Sequence, residues 1–478
     1  MTVGAGNRAA RALLRLLDAR LVVAGTTLLL LAVALGSVAR WGYNIGLAED
    51  WFMVPAMTGN EPDLAAWLWS QNNEHRLPVQ RLIYLGLLWL TEDFRSGMVF
   101  SQLLLAGLGL ALAWAAARAR GRARWRDALF PLALLHLGHW ENLIWGWQIQ
   151  FVWSTVLAGL VLVLVARPEP LDLRAGLAAS LLLVLLPLSG ANGIVVAAAM
   201  APWLAAHAAV RLGFDRIGPL RLAPAGLPAD RRTGRLLLVG AILPYAAIAV
   251  YFIGYERPPW SPPLASPREF LSAAEVYFAY ALGPGTRRLP LLLAAIAVLA
   301  FAVLGGLLAL RAFFAPKRPE ERLRAGGLVL FIGVGIFLGL AIALSRGAYE
   351  YRMPDRYALF AALPLLGAAF AWELYAPRRF GAAAVTALAI VLVALLPYNI
   401  RMGLEWRDWY RAGMAAVQAD IAAGVPIPEL AARHRPFLMH WTEDGLRERM
   451  RMLSQAGIGP FAAAREKPVS ETTPETQR

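Results

Sequence analysis

Four short polar stretches interrupt a chain that is otherwise mostly apolar, and each holds side chains able to move protons or bind anions. The first, Gly46-Leu47-Ala48-Glu49-Asp50-Trp51, sets two carboxylates side by side. A carboxylate held away from bulk water can serve as a general base; one that is merely solvated does nothing. The second, Gln71-Asn72-Asn73-Glu74-His75-Arg76-Leu77-Pro78, packs an acid, an imidazole and a guanidinium beside two amides. Such a group can bind a metal, a phosphate or a sugar, and its plainer reading is a polar cap before a helix. The third, His139-Trp140-Glu141-Asn142-Leu143-Ile144-Trp145-Gly146-Trp147-Gln148, holds one acid between two apolar runs. Ionisable groups in that position tend to be functional, whereas the tryptophans are ordinary interfacial anchors. His136 and His139 read as structural.

The fourth stretch runs from Ser345 to Tyr357 and contains Arg346, Arg352 and Arg356 with Tyr349, Tyr351 and Tyr357. Arginine presents a planar fork suited to phosphate oxygens. Three arginines there need a counter-anion, either the carboxylates Glu350 and Asp355 or a bound phosphate. A fifth feature, Ser189-Gly190-Ala191-Asn192-Gly193, joins two apolar runs tightly and reads as a turn whose glycines also let a ligand approach the backbone.

The elements that must position these residues are apolar helices. Of the 478 residues 58% are hydrophobic and only 16% charged, with a mean hydropathy of +0.52. Repeated, continuous apolar runs of about 20 residues match the length that spans a bilayer as helix. The sequence therefore predicts an all-α, polytopic transmembrane bundle of about eleven helices, near 21–39, 98–117, 128–138, 147–166, 175–188, 191–210, 236–254, 289–311, 327–345, 357–374 and 380–397. Residues 1–398 form the membrane domain, with 41–97 as a first outer loop carrying an interfacial helix near Leu82–Leu90. Residues 399–478 form a small helical tail ending in a disordered stretch after Arg465.

The formal net charge is +14, spread over short loops rather than gathered on one soluble face, which excludes nucleic-acid binding. The basic loops at Arg118–Arg126, Arg211–Arg235, Lys317–Arg324 and Arg378–Arg379 fall on one side, so the positive-inside rule places them and the N-terminus in the cytosol. All four chemical stretches and the tail then face outward. The first apolar run is too long for a signal peptide and reads as a retained helix. An Ala-, Leu- and Arg-rich composition points to a bacterial inner membrane with a periplasmic active face. The absence of cysteine excludes disulfides and thiolate chemistry.

In the order of these features the chain resembles the membrane-embedded type-C glycosyltransferases (GT-C), more narrowly the mannosyltransferase and aminoarabinose-transferase-like branch. Asp50 stands where that family has an acid after helix one. His75-Arg76-Leu77-Pro78 loosely resembles its His-Pro-Pro segment, Glu141 its second acid, and Arg356-Tyr357-Ala358-Leu359-Phe360-Ala361-Ala362-Leu363-Pro364 its late Arg-Tyr motif. The likeness covers residues 20 to about 210 in arrangement and 346–375 in motif. Two features depart from it: the acid pair is Glu-Asp rather than Asp-Glu, and no large soluble domain follows. The resemblance implies inverting transfer from a polyprenyl-phosphate sugar to a lipid, glycan or protein acceptor. It implies Asp50 as base, with Glu49 beside it, and Arg352, Arg356 and Arg76 on the phosphate, with Tyr357 adjacent. Glu141 and His75 would orient the acceptor or hold a divalent cation, Glu74 would belong to the substrate-binding set, and Asn72 and Asn73 would read sugar hydroxyls. If a divalent cation takes part, Asp50, Glu141 and His75 are its ligands. Two other readings fit the same residues: a transporter or flippase for a lipid-linked substrate, and a non-catalytic membrane subunit.

Overall fold

The computed structural model describes residues 18–217, 220–223, 228–261, 263–315, 318–349 and 353–465. Its helices of twelve or more residues are α1 (Ala19–Trp41), α2 (Pro78–Thr91), α3 (Arg95–Arg120), α4 (Ile149–Val165), α5 (Leu173–Leu185), α6 (Ala191–Leu212), α7 (Arg231–Phe252), α8 (Pro267–Ala279), α9 (Leu291–Phe314), α10 (Arg322–Arg346), α11 (Ala358–Tyr375), α12 (Arg378–Ala422), α13 (Ile427–Leu438) and α14 (Glu443–Gln455). Among the described residues nine helices are long and apolar enough to cross a membrane: α1, α3, α4, α6, α7, α9, α10, α11 and α12. Helix α5 is apolar but only 13 residues long.

Expectation and structure differ in two places. The run near 128–138, read as one helix, is a short helix at Leu129–Leu134 flanked by 3-10 turns at Trp125–Ala128 and Leu137–His139. Irregular backbone survives within an apolar bundle only where protein surrounds it, and Leu129 to Leu135 are all buried. The fold is an all-α bundle, and the few strand residues lie in loops. Two-residue strands β1 (Gln71–Asn72) and β2 (His75–Arg76) form an antiparallel hairpin in the first loop, and β3 (Arg216–Ile217) pairs with β4 (Leu220–Arg221). The boundary expected at 398/399 lies inside α12, a single helix of 45 residues. At about 1.5 Å per residue that is about 68 Å, against a hydrocarbon core of about 30 Å. The stretch after Arg465 lies outside the described residues.

Apolar side chains divide between two destinations. Helix α11 is the hub, with 83% of its apolar window buried, whereas α9 buries 22% and turns Leu292, Leu293 and Ile296 outward. Outward leucines suit a helix whose surroundings are lipid tails rather than water. Close approach within the bundle depends on small residues: a Cβ on Gly305 of α9 would come within 2.9 Å of Ala368 in α11.

A second core lies beyond the bundle. Trp51, Val54, Leu85 and Leu88 of the first loop pack with Tyr410, Val417, Leu430, Leu446 and Phe461. Arg449 Nε donates to the Trp51 carbonyl at 2.9 Å, and the Trp51 and Phe461 rings meet edge-on at 5.7 Å. The C-terminal segment is thus the other half of the core that supports the first loop. Helix α12 continues past Pro397 into this segment. Asn399 helps hold it there, accepting the Gly285 N–H at 2.8 Å and donating to the Leu282 carbonyl at 3.1 Å.

Candidate active site

The site lies at the end of the bundle that carries the first loop. Three segments supply its charged groups: the 3-10 turn Ala48–Met53, the short helix Trp140–Leu143, and the 3-10 turn Asp355–Tyr357 that opens α11.

Glu141 and Arg356 meet directly. The Arg356 backbone N–H donates to Glu141 Oε2 at 2.8 Å, and its guanidinium donates to Oε1 of the same carboxylate. The arginine lies over Phe151, 5.7 Å from the ring centroid, and Asn142 Nδ2 donates to the Arg356 carbonyl at 3.1 Å. The Tyr357 ring is buried edge-on to Phe151 at 5.2 Å.

The adjacent carboxylates of the first loop have divided roles. Asp50 is fully buried. Its Oδ1 accepts the Tyr84 hydroxyl at 2.9 Å and the Trp147 N–H at 2.8 Å, while Oδ2 accepts the Leu47 N–H at 3.0 Å. Burial pushes its pKa up to about 7, opposed by those same bonds from Leu47, Tyr84 and Trp147. Gly146 makes the arrangement possible, because a Cβ there would sit 2.1 Å from the Tyr84 hydroxyl oxygen. Asp50 therefore ties the first loop, α2 and the second loop together. Glu49 keeps a buried oxygen, Oε2, with no hydrogen-bond partner. Burial raises its pKa, Arg356 and the hydrogen bond from its own backbone N–H oppose that rise, and Glu141 adds to it, so Glu49 lies within electrostatic range of the Arg356–Glu141 pair. A carboxylate with one oxygen unpartnered and a raised pKa, within electrostatic range of a guanidinium, is a better-placed base than one whose oxygens already accept three bonds.

The polar hairpin is only partly free. Asn73 occupies its turn with φ +50°, and its carbonyl accepts from Gln71 Nε2 at 2.8 Å. Arg76, expected on a phosphate, is buried and spends its guanidinium on the carbonyls of Trp69 (3.1 Å), Ile253 (3.0 Å) and Gly254 (2.7 Å). It secures the hairpin to the end of α7. Glu74 receives Arg346 through both oxygens, at 3.3 and 3.1 Å, and the Tyr349 hydroxyl at 3.0 Å. Burial works against ionisation of Glu74, but Arg346 and its other partners hold its pKa below the usual value. His75 is pushed down to about 4 by burial and by the positive charges of Arg346 and Arg356, which outweigh Glu74. Its Nδ1 is buried without a partner. Arg352 lies outside the described residues.

Sequence reasoning gave Arg346 no role of its own. The signal available was an arginine ending an apolar helix on the face where few cations are expected. Asp355 proves structural, accepting from Trp140 Nε1 and the Tyr280 hydroxyl, both at 2.9 Å, and facing Arg287 at 3.1 Å. Among the described residues no group of three His, Asp or Glu side chains is placed to hold a metal ion, so Asp50, Glu141 and His75 do not form the ligand set that a divalent cation would use.

Comparison of the chain with protein-family models, with curated proteins and with solved structures found no match.

Proposed function

We propose that the chain is a membrane-embedded glycosyltransferase of the GT-C type, moving a sugar from a polyprenyl-phosphate donor to an acceptor hydroxyl on the outer face of a bacterial inner membrane. Adding α5 and the broken passage at 125–139 to the nine long helices gives eleven crossings. The arginine-rich turns then lie in the cytosol and the site lies outside.

The observation that carries this reading is that Glu49, a half-buried carboxylate with one buried oxygen lacking a partner, lies within electrostatic range of the Arg356–Glu141 pair at one end of the bundle. Transfer needs one group to accept a proton and another to stabilise a departing phosphate. The acceptor oxygen attacks the anomeric carbon while the bond from that carbon to the phosphate oxygen breaks. The bonding pair leaves with the phosphate, facing Arg356 and Arg346. The hydroxyl proton passes to Glu49, and single displacement inverts the anomeric centre. Asp50 acts as a positioning residue through Tyr84 and Trp147. Glu141 orients Arg356.

The test is to incubate the purified full chain with a panel of polyprenyl-phosphate sugars and acceptor lipids and to follow release of polyprenyl phosphate. Release by the wild type and none by Glu49→Gln supports the reading. Movement of the labelled lipid across vesicles without any covalent product replaces it with transport.

A further inference from the structure

At the arginine-rich end of the bundle, far from the candidate active site, α6 and α9 both pack against α10. Where the three meet they leave a recess of about 270 Å³. Trp203 and Ala206 line it from α6, and Leu310 and Phe313 from α9. Helix α10 contributes Gly326 and Gly327, whose lack of side chains keeps the space open. A Cβ on Gly326 would come within 3.1 Å of the Phe313 ring, and one on Gly327 within 2.7 Å of Trp203 Nε1.

Depth and opening both suit a lipid tail. Arg322 and Leu330 line the recess eight residues apart on α10, which is about 12 Å of helix. The hydrocarbon half of a bilayer is about 15 Å deep. Leu310 and Leu330 are also exposed, so the recess opens on the outside of the bundle. A membrane offers acyl chains there, not water.

The charge at its basic end narrows the class of lipid. Among the described lining residues only Arg322 is ionisable. Its guanidinium donates to the carbonyls of Arg221 at 2.5 Å and Ala315 at 3.2 Å, which clips the β3–β4 hairpin to the end of α9. Three more arginines surround this clip. Arg216 stands opposite Arg221 in the hairpin, Arg311 lies in the last turn of α9, and Arg318 precedes the 3-10 turn Pro319–Glu321. All three are exposed and have no ion pair among the described residues. Of the acids in the same segments, Asp215 is held by Arg221 at 2.9 Å and Glu321 by Arg324, which leaves Glu320 against three arginines.

We infer that this recess holds an acyl chain of an anionic phospholipid, with the lipid phosphate among Arg216, Arg311 and Arg318. Basic pockets between membrane helices attract anionic headgroups, whereas a zwitterionic lipid brings its own cation to the same arginines. The inference requires α6, α9 and α10 to span a bilayer and is independent of sugar transfer.

The test reconstitutes the full chain in phosphatidylcholine vesicles containing a trace of lipid spin-labelled on one acyl chain, either phosphatidylglycerol or phosphatidylcholine. The motionally restricted fraction of label reports binding. Phosphatidylglycerol is expected to bind at least tenfold more strongly, and added salt to shrink that advantage by screening the arginines. Arg311→Gln is expected to lower phosphatidylglycerol binding about fivefold and to leave phosphatidylcholine unchanged. Ala206→Phe and Gly326→Leu, which fill the recess, are expected to abolish the restricted component, and excess glycerophosphate is expected not to displace it. Equal binding of the two lipids overturns the anionic headgroup. Filled variants that keep the component overturn the recess as its place, and displacement by glycerophosphate shows a site for a free anion instead. Should a filled variant misfold, Arg311→Gln at its exposed position still decides: unchanged phosphatidylglycerol binding overturns the assignment.

Discussion

Arg356 holds Glu141 with two bonds of different origin, one from its guanidinium and one from its own backbone N–H at 2.8 Å. The second bond comes from the 3-10 turn that leads into α11, so the carboxylate also anchors the start of the hub helix. Removing the charge by Glu141→Gln weakens both bonds. The expected loss is about 1.5–3 kcal/mol of stability, read as a lower midpoint of thermal unfolding in detergent. Arg356→Lys keeps the charge and the backbone bond but loses the fork, and is expected to lower transfer without a comparable loss of stability.

Glu49 and Asp50 separate by the same kind of comparison. Glu49→Gln is expected to reduce transfer by about 10²–10⁴-fold, the usual contribution of a general base, with little change in unfolding temperature. Asp50→Asn sets an amide among three donors and strands at least one of them. Its first effect is a loss of about 1–3 kcal/mol in stability, with activity falling as the loop loosens. If Asp50→Asn is stable and inactive while Glu49→Gln is active, the base has been assigned to the wrong neighbour.

Among the contributions to stability against pH, those of Asp50 and His75 act in opposite directions. Asp50 titrates near 7 in the folded chain instead of near 3.8. Between those values the folded state holds a proton that the unfolded state has lost, so stability falls as pH rises. His75 titrates near 4 instead of near 6.5. There the unfolded state holds the extra proton, and stability rises with pH. Over pH 4–6.5 the two trends cancel in part. Unfolding temperatures across that range are expected to rise with pH in Asp50→Asn and to fall with pH in His75→Gln. Parallel profiles for the two variants would rule out this assignment.

The tail has a structural task. Truncation after Ala422 removes Leu430, Leu446 and Phe461 from the core shared with Trp51. Limited proteolysis of such a chain is expected to cut within 42–70 before any membrane helix is lost. Gly146→Ala should produce a related defect from the other side by displacing Tyr84.

Much of the bundle was legible in the sequence because an apolar run of sufficient length has few other solutions in a bilayer. Helices α1, α3, α4, α6, α7, α9, α10 and α11 fall within a few residues of where hydropathy puts them. The break at 129–139 was not legible, because composition cannot tell a buried irregular passage from a helix. Nor was the length of α12: its outer half is amphipathic and survives by packing on Trp51 and its neighbours, a contact hundreds of residues away in sequence. In the site, sequence proximity to an apolar helix picked out Glu141 and Arg356, which do pair. It gave Arg76 a free guanidinium, whereas three backbone carbonyls of this fold occupy it. Which of two adjacent acids faces the guanidinium is set by the rotation of one 3-10 turn, a matter of geometry that residue types do not encode.

That turn gives meaning to the order of its two letters. With about three residues per turn, neighbours project roughly a third of a revolution apart, so Asp50 enters the scaffold while Glu49 stays half-buried on another side of the turn. The socket formed by Leu47, Tyr84 and Trp147 admits a short arm, and the span toward Arg356 calls for a longer one. Writing the dyad in the reverse sense, Glu49→Asp with Asp50→Glu, would crowd the socket with an extra methylene and leave the outward arm one carbon short. The Glu-Asp order is therefore a fitted pair of lengths, and reversing it would cost both the anchor and the reach.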